Sequence, residues 1–223
     1  MQRSRFLAAT MSLALFLTAA VALAEPQAYK LDGSHTQVGF NVRHFFSKVP
    51  GQFNKFDGQI SLDEKNWANS SVEATIDAAS VDTNNEKRDA HLKSADFFEV
   101  EKYPTLTFKS TKVTPAGEGK LKVDGNLTIR GVTKPVVLDV DVLGTGLVAI
   151  GGNSMSRAGF EAKTRVNRKD FGILWNKTLD QGGTLLGDDV DIVILVEAMK
   201  AEPPKAADAK PAATPAPTAA TKK

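Results

Sequence analysis

The sequence predicts an all-β protein of about eight antiparallel strands with one short helix, and three observations lead to that reading. Between residues 28 and 200, apolar side chains recur with a period of two in run after run. Each run carries polar residues on the opposite phase, and glycine- or proline-bearing turn signals separate the runs. Strands with one apolar and one polar face belong to antiparallel sheets, because buried parallel strands read as continuous apolar runs.

The first run places Val38, Phe40 and Val42 on one face, and the second Val72, Ala74 and Ile76. Leu106 and Phe108 form a third, between Thr105, Thr107 and Lys109. Leu121, Val123, Leu127 and Ile129 alternate with Lys122, Asp124, Asn126 and Thr128. Val136, Leu138, Val140 and Val142 oppose Asp139 and Asp141; Phe160, Ala162 and Val166 oppose Glu161, Lys163 and Arg165. Val190, Ile192, Ile194 and Val196 close the series. Turns are expected at Asp57-Gly58, Pro115-Ala116-Gly117, Gly131 with Pro135, and Gly151-Gly152-Asn153. The segment from Asn84 to Ala95 breaks the period, and Asn84 or Asn85 can cap a short helix there. So long a sheet must hide its edges, as a closed barrel or as a sandwich, and periodicity alone does not choose.

The ends differ from this body. Residues 1–24 carry Arg3 and Arg5 before an apolar stretch that ends in Ala22-Leu23-Ala24. That is the charged, apolar and small-residue order of a secretory signal peptide, and it predicts an exported chain beginning near Glu25. Residues 201–223 are almost entirely Ala, Pro and Lys and read as a disordered tail, a solvated extension or a tether to an anionic surface. The folded domain is thus residues 25–200. The net charge of +2 comes from the two ends, since residues 25–200 hold 22 basic and 24 acidic side chains. A nucleic-acid binder concentrates basic charge on its folded domain, so that class is excluded. With no cysteine, thiol chemistry and cysteine metal sites are excluded as well.

Motifs for catalysis are sparse. Gly144-Thr145-Gly146-Leu147-Val148-Ala149 fits a dinucleotide fingerprint formally, but no helix can open in the glycine-rich stretch behind it. The histidines are His35, His44 and His91. Asp32, Ser34 and His35 make a triad only on paper, because such residues commonly bond backbone near turns. No catalytic residue and no metal ligand is expected. The aromatics carry more. Ten of the 12 phenylalanines lie in the exported chain, Phe6 and Phe16 being in the leader. Their default role is core packing. An eight-stranded barrel, though, is at the size where the interior holds side chains or one small ligand. Small inward positions such as Ala74, Ala162 and Thr164 leave room beside the rings.

Several ordered segments resemble the YceI-like family. They are Leu31-Asp32-Gly33-Ser34-His35-Thr36, the run from Val38 to His44, and Val49-Pro50-Gly51-Gln52-Phe53-Asn54-Lys55-Phe56-Asp57-Gly58. Asp82-Thr83, Arg88-Asp89-Ala90-His91-Leu92, Asp96-Phe97-Phe98-Glu99-Val100 and Lys102 to Phe108 continue the likeness. Gly125 to Val136 and Asn167-Arg168-Lys169-Asp170-Phe171-Gly172-Ile173 complete it, over roughly residues 29–198. The family often has Ser where Thr36 stands. The resemblance implies a lipocalin-like, antiparallel eight-stranded barrel enclosing an apolar cavity. It implies an exported, periplasmic protein that holds a long-chain isoprenoid or similar amphiphile, with no established enzyme activity.

The expected ligand is therefore a polyisoprenoid or an isoprenoid quinone, with no resident cofactor. Phe40, Phe53, Phe56, Phe97, Phe98, Phe108, Phe160, Phe171 and Trp175 are expected to line the apolar cavity. Arg88, Asp89, His91, His35 and Arg168 are expected at its polar end. Transient membrane contact and a homodimer are compatible partners. The competing readings are a ligand-free envelope scaffold and, behind it, a His/Asp-dependent hydrolase or isomerase.

Overall fold

The computed structural model describes residues 25–180 and 182–201. The expected leader and nearly all of the expected tail, from residue 202 on, lie outside the described residues. The strands are β1 (Gln27–Leu31), β2 (Gln37–His44), β3 (Ser47–Phe53), β4 (Phe56–Leu62), β5 (Ser71–Asp77) and β6 (Val81–Asp82). After helix α1 (Glu86–Lys93) come β7 (Thr105–Pro115), β8 (Lys120–Ile129), β9 (Val132–Ile150), β10 (Asn153–Asn167) and β11 (Leu186–Lys200). All pairings are antiparallel, and β1 closes the sheet on β11.

The eight-stranded barrel emerges once two kinks are recognised. Both β1 and β2 pair with β11, β1 along Ala198–Lys200 and β2 along Leu186–Leu195, so they form one wall strand bent at residues 32–36. Likewise β4 pairs with β1 and β3 with β2, so β3 and β4 form a second bent strand, interrupted at Asn54 and Lys55. These two, with β5, β7, β8, β9, β10 and β11, make a closed antiparallel barrel of lipocalin-like form; β6 is a two-residue addition on β3. Closure removes the edges that an open sheet would expose.

The period of two holds around the wall. Val38, Phe40 and Val42 of β2, Val72, Ala74 and Ile76 of β5, and Val190, Ile192, Ile194 and Val196 of β11 all face the lumen. Outward phases pair charge across strands, as in Lys122–Asp139, Lys109–Glu73 and Arg165–Asp191. Such exposed pairs fix register more than they stabilise, each being worth roughly 0–1 kcal/mol.

One expected turn proves to be strand, and another holds only at its glycine: Gly131 turns with φ 72° between β8 and β9, while Pro135 lies in β9. Asp57-Gly58 sits inside β4, where Gly58 lets the next strand approach: a Cβ there would lie 2.8 Å from the Glu73 carbonyl oxygen and 2.9 Å from Leu31 Cδ1. Pro135 pairs with Asn126 inside β9, beyond the last β10 partner at Asp139, so its missing N–H deprives no neighbour. The dinucleotide-like Gly144 and Gly146 also lie in β9, opposite Gly159 and Arg157. The helix starts as expected: the Asn85 side chain accepts from the Arg88 N–H at 3.0 Å. This helix and the 3₁₀ turn Arg168–Phe171 cover one end of the barrel.

Candidate functional site

The barrel encloses a cavity of about 590 Å³. That is within the range of ~300–1,000 Å³ usual for small-molecule sites. Its lining along β11 runs from Leu186 to Val196. At about 3.3 Å per residue and a strand tilt near 40°, this amounts to roughly 25 Å along the barrel axis. The cavity is long, narrow and apolar.

All nine expected aromatic residues line it: Phe40, Phe53, Phe56, Phe97, Phe98, Phe108, Phe160, Phe171 and Trp175. Strand phase points Phe40, Phe108 and Phe160 inward, whereas Phe97 and Phe98 arrive on the segment after α1. That segment is held by the Phe98 N–H donating to the Leu92 carbonyl at 3.0 Å. The rings meet in sequence: Phe40 and Phe53 at 5.7 Å, Phe53 and Phe98 at 5.5 Å, Phe97 and Trp175 at 5.3 Å. Ala74, Ala162 and Thr164 line the cavity beside them, so small residues leave the space that the rings do not fill.

The polar groups divide. Arg88 and His91 reach the cavity from α1. The His91 ring meets Phe97 at 5.0 Å and Trp175 at 4.9 Å, edge to face, and its Nε2 lies 2.8 Å from Asp96. Arg88 donates to the Thr83 hydroxyl and carbonyl, both at 2.7 Å. Arg168 also borders the cavity but is a wall fixture. It is 5% exposed, and it donates to the carbonyls of Gly187, Ile173 and Trp175 and to Asp188. Burial draws its pKa down, and Asp188 opposes that.

Two expected polar-end residues lie elsewhere. Asp89 turns away from the cavity and accepts from the Thr83 N–H at 2.9 Å and its hydroxyl at 2.5 Å. It thereby ties α1 to the end of β6. His35 sits in the kink between β1 and β2, with its side chain 60% exposed and its Nδ1 3.0 Å from Asp32. The hydrogen bond that the His35 imidazole donates to Asp32 raises the His35 pKa, and the same bond lowers that of Asp32. The carboxylates of Asp32 and Glu197 lie near His35 as a metal-like trio, yet Arg157 already contacts both carboxylates. Ser34 bonds Asp32 only through its backbone N–H, at 3.0 Å, so the paper triad has no hydroxyl aligned on the imidazole. The kink is a structural clasp: Thr36 Oγ1 donates to the Glu197 carbonyl and accepts from its N–H.

Sequence reasoning passed over Trp67 and Lys87. Trp67, in a 3₁₀ turn capped by Asn66, crosses Phe160 edge to face at 6.5 Å near the end opposite α1. A tryptophan in a stretch without periodicity was the available signal. Lys87 lines the cavity beside Arg88. Among the described residues, the charged side chains lining the cavity are Lys87, Arg88 and Arg168, with the histidines His44 and His91, and no carboxylate joins them.

Comparison with known proteins fits this geometry. The YceI-like domain family matches residues 29–198. A UPF0312 protein of Serratia proteamaculans is 44% identical over 192 residues, covering 85% of this chain and 94% of that relative. The crystal structure of Burkholderia cenocepacia BcnA superposes with a TM-score of 0.66 at 26% identity, over 75% of this chain and 98% of that one. A domain from Saccharophagus degradans, described as polyisoprenoid-binding, shares the fold with a TM-score of 0.56 at 14% identity, over 78% of this chain and 99% of its own. The motifs, the kinked eight-stranded barrel and these matches agree, and the chain belongs to the YceI-like family.

Proposed function

We propose that this protein is a periplasmic, non-enzymatic carrier that holds a long-chain isoprenoid lipid or isoprenoid quinone inside its barrel. The observation that carries the reading is the cavity: long, apolar along the wall, and fringed at one end by Lys87, Arg88 and His91. An extended hydrocarbon gains about 0.8 kcal/mol for each methylene withdrawn from water, so affinity for this lumen grows with chain length. A head group reaching the α1 end meets donors and no carboxylate, which favours a carbonyl, hydroxyl or phosphate oxygen there. The family, and the polyisoprenoid-binding domain that shares its fold, support an isoprenoid over other chains. The leader-like residues 1–24 support export.

Native mass spectrometry of the protein purified from its own cell envelope, followed by organic extraction, tests the proposal. A bound mass matching a polyprenyl chain or quinone is expected. An empty protein that also fails to take up polyprenol in a titration overturns the reading and favours a ligand-free scaffold.

A further inference from the structure

We propose that the rim at the α1 end of the barrel, built on Phe45, Phe46 and Leu174, docks on the surface of an anionic phospholipid bilayer. Phe45 and Phe46 are the two-residue tip joining β2 to β3, between the paired His44 and Ser47. Phe46 is fully exposed, Phe45 is 40% exposed and Leu174 is 65% exposed. The barrel gains nothing from Phe46, which packs on none of its core. Phe45 has φ 50°, a conformation suited to Gly or Asn and costly for a bulky residue. Two consecutive phenylalanines at a hairpin tip, one of them strained, mark a surface kept for contact rather than for folding.

Leu174 belongs to the same rim. The Phe45 N–H donates to the Leu185 carbonyl, and the Leu185 N–H donates to the Lys177 carbonyl, so the tip and the loop before β11 are stitched together. His44, Ile173, Trp175 and Leu185, neighbours of the exposed apolar residues, all line the cavity. The apolar rim therefore continues the cavity wall outward.

Charge selects the partner. Arg43 is exposed beside the tip and donates to the Phe45 carbonyl, while α1 brings Lys87 and Arg88. Of the nearby acids, Asp191 is engaged by Lys48 and Arg165 and Asp96 by His91, while the exposed Asp180 in the loop before β11 is matched by the exposed Lys177 of the same loop. On α1, Lys87, Arg88 and Lys93 outnumber Glu86 and Asp89, and Asp89 is turned onto Thr83. Aromatic side chains flanked by cations suit the headgroup level of an anionic membrane. A two-residue tip with one leucine is far smaller than the roughly 1,000 Å² that a stable protein interface buries, but sufficient for shallow, reversible insertion.

The test is co-sedimentation of the full purified chain with vesicles of phosphatidylethanolamine and phosphatidylglycerol, against vesicles of phosphatidylcholine. The protein is expected to bind the anionic vesicles. Phe46→Ser should weaken that binding about tenfold or more, the scale of withdrawing one large apolar side chain. Phe46→Trp should retain binding, with indole emission shifting to the blue on contact. Equal vesicle binding by Phe46→Ser and the parent overturns the proposal. So does a Phe46→Ser variant that binds vesicles normally but turns a dimer into a monomer in analytical ultracentrifugation, because the patch is then a surface for a second copy. The rim residues lie outside the cavity, so the outcome separates from that of the cargo. Extracted lipid without vesicle binding overturns the docking alone, and vesicle binding without lipid overturns the carrier reading alone.

Discussion

The edge of the Phe40 ring occupies the space that a side chain at Gly51 would need. The two residues are paired across β2 and β3, and a Cβ on Gly51 would lie 2.7 Å from Phe40 Cε2. Phe108 uses Gly125 of β8 in the same way, at 2.5 Å from its Cε2. Glycine in a strand interior usually weakens it, and here it lets an aromatic ring lie against the wall instead of filling the lumen.

Replacing Gly51 by alanine should therefore push the Phe40 ring into the cavity. The expected cost is about 1–3 kcal/mol, the usual scale of overpacking. Extracted lipid per protein should fall with it. Gly144→Ala is the control, since nothing lies within 4 Å of its added Cβ; its melting temperature and lipid content should stay at the parent values. Thermal melts and quantitative extraction of both variants give the comparison.

Phe98 offers a direct test of the lumen. Its ring meets Phe53 at 5.5 Å, and it lines the cavity beneath α1. Phe98→Arg places a charge where an apolar chain would lie, and an unpaired charge in such surroundings is strongly unfavourable. Loading should be lost while the far-ultraviolet spectrum remains that of a β-barrel. A folded variant with undiminished lipid content would remove Phe98 from the binding surface.

Arg168 should behave as a structural residue. Its guanidinium satisfies three backbone carbonyls that hold the 173–175 loop and the start of β11. Arg168→Leu leaves those three carbonyls without a donor and Asp188 with Lys169 as its remaining partner, for an expected loss of about 2–4 kcal/mol. Lysine cannot reproduce the planar fork, so Arg168→Lys should recover only part of the stability. If Arg168 served the head group instead, both variants would keep the parent melting temperature and lose only lipid affinity.

How much of this was legible in the sequence depended on whether a residue's environment is local. Phe40, Phe108 and Phe160 followed from strand phase, because a period of two fixes the face whatever the strand pairs with. The start of α1 was legible because Asn85 caps with its own side chain. Asp57-Gly58 misled, since a local turn signal and a close approach of β5 demand the same glycine, and only the fold distinguishes them. The kinks that make eight wall strands out of ten segments were invisible, as they depend on β11 being long enough to pair with both β1 and β2. The spacing of His35 from Asp32 is right for a local pairing, but the pair sits on the outer face at the kink and not at the polar end of the cavity. Its partner there, Glu197, is distant in sequence.

That clasp makes a prediction about pH. Asp32 raises the pKa of His35 above its ordinary 6.5, first by its hydrogen bond and then by its charge, reinforced by Glu197 and opposed by Arg157. The pKa of Asp32 falls below its ordinary 3.8, chiefly through His35 and the Ser34 N–H. A histidine whose folded pKa is raised contributes stability that is fully present below its unfolded pKa and fades as pH rises through the folded value. An aspartate whose folded pKa is lowered contributes above its unfolded pKa and fails as pH drops through the folded one. The pair thus acts together only in the acidic window between those limits. His35→Gln should lower the melting temperature at about pH 5.5 and leave it unchanged near pH 9, where the imidazole is neutral in both states. In Asp32→Asn, the His35 ring signals followed by NMR should titrate closer to the ordinary value. A His35→Gln deficit that is the same at both pH values would show that packing at the kink, and not the ion pair, is what the histidine supplies.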